Sequence, residues 1–97
     1  MSYPVIWAPL AKDELIEVLR YLETSFGPEI AADCVIRVDE AIDKIALYPR
    51  MYPAFGPFAL RKAVVHSHLS LFYRFENEQV DILKVWDNRQ DPSRLRL

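Results

Sequence analysis

Arginine and lysine recur through the second half of this chain at positions that a small sheet would gather on one face or edge. Arg61 and Lys62 fall in one apolar run, Arg74 in the next, Lys84 in a third and Arg89 just past its end. A guanidinium offers planar two-point hydrogen bonding to carboxylate or phosphate oxygens that an ammonium does not, so this placement suits a surface that docks an anionic partner. The same charges, scattered over strand surfaces, would also keep exposed sheet edges from pairing with other chains, and both readings stand at this level. Other chemistries are poorly supplied. A phosphate loop or dinucleotide fingerprint needs several glycines, and Gly27 and Gly56 are the only two. A structural zinc site needs about four Cys or His ligands, whereas the chain has Cys34, His66 and His68, the two histidines reading as a polar hairpin turn. Cys34 falls on the apolar face of a helical pattern, which marks it as a small core residue rather than a nucleophile. The carboxylates sit at solvated helix positions, and no acid–base pair singles itself out. The residues designate no catalytic group, no metal and no cofactor.

The elements that would position the basic residues can be read from periodicity. Pro4 to Trp7 is a short apolar run suited to a strand, and Pro9 pre-sets a helical φ at a first turn. From there Ala11, Leu15, Val18, Leu19, Leu22 and Phe26 recur at helical spacing on one stripe, with Asp13, Glu14 and Glu17 in the first half, until Gly27-Pro28 stops the helix. A second helix opens at Pro28 and carries Ala31, Cys34, Val35, Val38, Ala41, Ile42 and Ile45, with Asp33/Arg37 and Glu40/Lys44 at i,i+4 spacing on its outer face. Pro49, Pro53 and Pro57 make residues 48–58 an ordered connector packed by its aromatics. Three strand-like runs follow, Ala59 to Val65, Leu69 to Phe75 and Val80 to Trp86, linked by turns short enough for hairpins. The expected fold is α+β, in the order β-α-α-β-β-β, with a helical hairpin on one face of a small, mostly antiparallel sheet. Asp91-Pro92-Ser93 can start a last short turn.

Size and composition bound the answer further. Ninety-seven residues, 52% of them hydrophobic, suffice for one domain over residues 1–97 and not for two. The net charge of −2 hides an asymmetry: residues 1–47 hold four basic against nine acidic groups, and residues 48–97 hold eight against five. Nucleic-acid binders usually carry a basic surplus, so sequence-specific binding to nucleic acid is not expected. A lone cysteine leaves a reducing compartment, the cytoplasm, as the simplest fit. The first residues lack the pattern of an export signal, and no apolar run is long enough to span a bilayer, so no membrane partner is expected.

With this order of elements go several local phrases: Trp7 to Leu15, a strand followed by an Ala-x-x-Glu-Leu helix start; Ile45 to Pro49; Leu60-Arg61-Lys62; Phe72-Tyr73-Arg74-Phe75; and Val85-Trp86-Asp87-Asn88-Arg89-Gln90-Asp91-Pro92. In these the chain resembles the RelE/ParE superfamily of toxins from type II toxin-antitoxin systems over nearly its whole length. The resemblance implies a small cytoplasmic growth inhibitor, of the kind associated with plasmid stabilization, held inactive in a hetero-oligomer by an antitoxin that wraps its surface. It further implies that Arg61, Lys62, Arg74, Trp86, Arg89, Asp91 and Arg94 contact the antitoxin or the target. Two activities occur in the superfamily: RelE-like members cut mRNA on the ribosome as endoribonucleases, and ParE-like members inhibit DNA gyrase. Cleavage through a 2′-OH needs a proton acceptor, a proton donor and cations for the phosphorane. Arg61 and Arg89 match phosphate-contacting positions, and His66 or His68 would have to supply proton transfer. Ser70, however, stands where the nucleases commonly place a strand Arg, and residues 87–97 contain neither Tyr nor His. The expected branch is therefore ParE-like, with mRNA cleavage or a non-toxic antitoxin-binding module as the alternatives.

Overall fold

A computed structural model of the chain describes residues 2–56 and 59–90, together with 93 and 95. The elements run β1 (Val5–Trp7), α1 (Pro9–Phe26), α2 (Pro28–Leu47), β2 (Ala54–Phe55), β3 (Leu60–His66), β4 (Leu69–Glu76) and β5 (Gln79–Asp87). Proline opens both helices at a first-turn position, where its missing N–H costs nothing. Between them Gly27 takes φ +100°, a conformation that side chains rarely adopt, and its N–H closes α1 by donating to Glu23 O at 3.0 Å. One residue thus ends the first helix and begins the second, which folds the pair into the expected antiparallel hairpin.

The sheet has the order β1-β5-β4-β3-β2. β2, β3, β4 and β5 are antiparallel neighbours, and β1 runs parallel to β5, Val5 opposite Val80 and Trp7 opposite Ile82. Two features go beyond the sequence reading. The connector contributes a two-residue strand, β2, whose Ala54 pairs with Arg61. The first strand also joins its parallel partner at the far end of the chain, which makes β5 an interior strand and accounts for its apolar residues on both faces.

Along β4 the side chains alternate. Leu69, Leu71, Tyr73 and Phe75 join the core beneath the helices, and Ser70, Phe72 and Arg74 therefore face outward. Against the inner set pack Ala63 and Val65 of β3, Val80, Ile82 and Val85 of β5, Ala11 and Leu22 of α1, and Ala31, Cys34, Val38, Ala41 and Ile45 of α2. Tyr73 carries the one polar atom of this inner row, and it is satisfied: the fully buried hydroxyl donates to Pro49 O at 2.6 Å, tying the connector to the sheet. Burial pushes the Tyr73 phenol up to about 12. Cys34 is fully buried, as expected, and burial raises its thiol. Two helical positions depart from the expected stripe. Val35 is 42% exposed and Phe26 49% exposed; Phe26, in the last turn of α1, stacks on the His68 ring of the β3–β4 turn instead of joining the core. Among the described residues no helix is long and apolar enough to cross a membrane.

The β4–β5 hairpin closes through Asn77 and Glu78, both at positive φ (54° and 58°), with Glu76 paired to Gln79. That turn suits Asn at its first position and Gly at its second. Holding a Glu there costs about 1 kcal/mol. Glu78→Gly should therefore stabilise the protein by about that amount in urea denaturation, with the m-value unchanged; a loss of stability would show that the turn is not strained.

Candidate functional site

The sheet's outer face and the far end of β5 bring most of the sequence-designated residues together. On the face, Lys62 lies opposite Phe72, and Phe72 opposite Lys84. The Lys62 ammonium sits 5.7 Å from the Phe55 ring centroid and 5.9 Å from that of Phe72, while Lys84 Nζ lies 6.0 Å from Trp86. Cations held over aromatic faces in this way are attracted by the ring quadrupole. Arg74 points the same way one position along β4, its guanidinium 38% exposed and 3.9 Å from Glu76. Trp86 is nearly buried, and Ser70, fully buried beside it, donates to Asn88 Oδ1 at 2.7 Å. Asn88 in turn donates to His66 O at 3.2 Å and, through its backbone, to His68 O at 3.0 Å, so one amide fastens the β3–β4 turn to the end of β5.

Arg61 lies elsewhere. It alternates toward the helix side of β3, where its Nη1 donates to the carbonyls of Arg50 (3.1 Å) and Tyr52 (2.7 Å) and anchors the connector. Asp91 and Arg94 lie outside the described residues, as does the start of the expected last turn.

Arg89 is the most constrained of the set. Its Nε and backbone N–H donate to Asp87 Oδ1, each at 3.0 Å, its Nη2 donates to Asp87 Oδ2, and its Nη1 donates to the Tyr21 hydroxyl. The guanidinium carbon also stands 4.0 Å from the Tyr21 ring centroid. These hydrogen bonds hold the Asp87 carboxyl below its usual range and raise Arg89 above its own. Hydrogen bonds from Ser25 and Arg89 lower the Tyr21 phenol. Arg89 is thus a fixed positive charge, partly exposed and locked in orientation.

Three participants were not legible as functional residues. Glu14, read as one of several solvated helix acids, is 19% exposed; it accepts from Lys84 Nζ at 2.5 Å and from the Val85 N–H at 3.1 Å. Tyr21 meets Arg89 from 68 residues away, and no local spacing announces either contact. Asp87 did carry a signal: an acid two residues before an arginine at a strand end can fork with it.

At the same end of the sheet the histidines pack on each other and on Phe26. His66 Nδ1 accepts the His68 N–H at 3.1 Å, the two rings stack at 5.4 Å, and His68 stacks on Phe26 at 5.0 Å. His66 Nε2 lies 3.6 Å from Asp33, which also pairs with Arg37. Burial, then His68 and Arg37, lower the His66 pKa against the opposing pull of Asp33. Among the described residues no three potential metal ligands converge.

The family model described as "ParE toxin of type II toxin-antitoxin system, parDE" matches residues 5–92. This chain belongs to the ParE toxin family. No curated protein matches it. Among solved structures it is similar to one from the chromosomal ParDE toxin-antitoxin system of P. aeruginosa, with a TM-score of 0.76 at 16% identity over 89% of this chain and 96% of that one. It also resembles a chain of the intact E. coli RelBE toxin-antitoxin complex, with a TM-score of 0.61 at 14% identity over 89% and 96%. The RelBE2 toxin-antitoxin complex from Mycobacterium tuberculosis gives 0.60 at 21% identity over 90% and 99%. These likenesses establish the shared fold, two helices on a mixed five-stranded sheet, and the ParE-type toxin carries its cationic outer face on that frame.

Two outcomes follow from the geometry. Glu14→Ala should destabilise the toxin by about 1–3 kcal/mol, because it leaves the Val85 N–H without its acceptor, and urea denaturation would measure it. His66, whose folded pKa lies below its unfolded value of about 6.5, stabilises the fold fully above that pH and loses its contribution as the pH falls through the folded value. His66→Gln should flatten the fall in stability between pH 7 and pH 5; an unchanged slope would assign the acid sensitivity to other groups.

Proposed function

We propose that this ParE-type toxin inhibits DNA gyrase by docking, without cutting nucleic acid, and that a cognate antitoxin neutralises it by covering the cationic outer face. The observation that carries the reading is the ParE family match across residues 5–92. The chemistry of the face supports it. Lys84 and Arg89 are each engaged by a carboxylate, from Glu14 and Asp87 respectively, and Lys62 lies beside the paired Phe55 and Phe72 rings. Arginine does not give up a proton near neutral pH, and its pairing with Asp87 holds Arg89 charged still more firmly. Groups held this way are fixed in orientation before a partner's carboxylates or phosphates arrive, and Arg89, as a guanidinium, is poorly suited to shuttle protons. Ser70, bonded to Asn88, likewise contributes a neutral hydroxyl in the middle of the sheet.

The antitoxin reading draws on the ParDE and RelBE complexes that share the fold. Arg74, half-exposed and only loosely associated with Glu76, is the cation on this face freest to meet an antitoxin carboxylate.

Purified toxin at micromolar concentration should inhibit gyrase supercoiling in vitro. Unimpaired supercoiling would overturn the gyrase reading, and new 5′ ends mapped within a translated message would establish mRNA cleavage in its place. Arg74→Glu should slow association with the antitoxin encoded beside the toxin and make that rate less salt-sensitive, as surface plasmon resonance would show. An unchanged rate would place the antitoxin elsewhere.

A further inference from the structure

A cavity of about 140 Å3 opens where the connector meets the start of β3, lined by Arg50, Ala54, Ala59, Leu60, Arg61 and Phe75. Two of these residues carry guanidinium groups and none carries a carboxylate. Arg37, Arg74 and Arg89 each lie against an acid, at Asp33, Glu76 and Asp87, whereas Arg20 stands exposed on α1 with no carboxylate partner among the described residues. Arg50 and Arg61 have no carboxylate partner among the described residues, and they line the same cavity.

Both are also held in place. Arg61 spends Nη1 on the Arg50 and Tyr52 carbonyls, which leaves Nε and Nη2 without an acceptor among the described residues. Arg50 lies over the Phe75 ring with its guanidinium carbon 4.8 Å from the centroid, a contact that engages the cation without using its N–H donors, which remain for an acceptor. At the rim Ala59 adopts φ 55°, a left-handed conformation disfavoured for a residue with a Cβ, and such strain gathers at ligand clamps. Positive charge is therefore concentrated, oriented and uncompensated at one concave point of a chain whose net charge is −2.

We propose that this cavity binds a phosphate-class anion, either inorganic phosphate or the phosphate of a monoester. Two guanidinium groups arriving from different elements, the connector and β3, present donors in two directions. A tetrahedral oxyanion carries acceptor oxygens pointing out of any one plane and so meets both forks face-on, whereas a planar carboxylate can face only one of two differently directed forks edge to edge. The volume admits such an anion with part of its hydration, each water claiming about 30 Å3. This site is separate from the Arg89 cluster and from the face occupied by Lys62, Arg74 and Lys84, and it does not depend on whether gyrase is the target.

The test is calorimetric titration of the purified full-length chain with inorganic phosphate at pH 7.5, with ionic strength held constant by chloride. Saturable binding is expected, weakened at least tenfold in Arg50→Gln, whose retained fold circular dichroism would verify; Arg61 is left intact because it fastens the connector. Sodium acetate should not compete. Adenosine 5′-monophosphate binding more tightly than phosphate would assign the site to a monoester, and equal binding would assign it to the free ion; either result supports the pocket. No saturable binding, equal binding by Arg50→Gln, or equal competition by acetate would overturn it.

Discussion

The fold turns on how β5 is held along its outer edge. β1 covers that edge only as far as Ile82, with the Ala8 N–H donating to the Ile82 carbonyl, and β5 continues to Asp87. An unpaired backbone donor at the seam between helix and sheet is costly. The Glu14 carboxylate takes the place of the missing strand, accepting from the Val85 N–H and from the Lys84 ammonium. This contact fixes the rotation of α1 over the sheet. Tyr21, two turns farther along the same helix, is thereby brought over Arg89, and Phe26, near the end of the helix, over His68. A single partly buried carboxylate thus links the closure of a sheet edge to the placement of the residues at the far end of β5.

The same arrangement explains the character of the cationic surface. Under the docking function proposed above, charge must be presented to a large partner by a protein that stays folded in its absence, and flexible surface lysines would lose considerable side-chain entropy on docking. Here the charges are ordered before any partner arrives. Asp87 and Tyr21 hold Arg89, the Phe55 and Phe72 rings lie beside Lys62, and Glu14 holds Lys84. Each anchor lowers the side-chain entropy that the group would lose on meeting a partner.

Much of this was legible in the sequence, for identifiable reasons. Both helices begin at Pro and meet at Gly27 because backbone constraints act locally, and the alternation of β4 separates Leu71 and Tyr73 from Ser70 and Phe72 because strand periodicity is strict. The parallel pairing of Val5 with Val80 left no trace, since a contact across 75 positions has no local signature, and β2 was hidden within a proline-rich stretch by being only two residues long. The candidate site divides along the same line. The positions of Arg74, Lys62, Trp86 and Arg89 on strands and at a strand end could be counted from the alternation of the sequence. The contacts of Glu14 and Tyr21 have no local signature because helix acids and tyrosines are ordinary until the sheet meets them, and Arg61, grouped with Lys62 by its position, turns to the connector carbonyls. Its neighbour Arg50, which no motif marked, joins it at a cavity.

The central claim is that Arg89 stands as a preoriented, permanently charged group in the free protein. Its Nε–H exchange, followed by 15N NMR on the isolated toxin near neutral pH, tests this most directly. The account predicts a distinct, slowly exchanging Nε–H in the wild type that collapses to the fast rate of a free arginine in Asp87→Asn. A wild-type Arg89 that already exchanges and averages like a solvated side chain would contradict it.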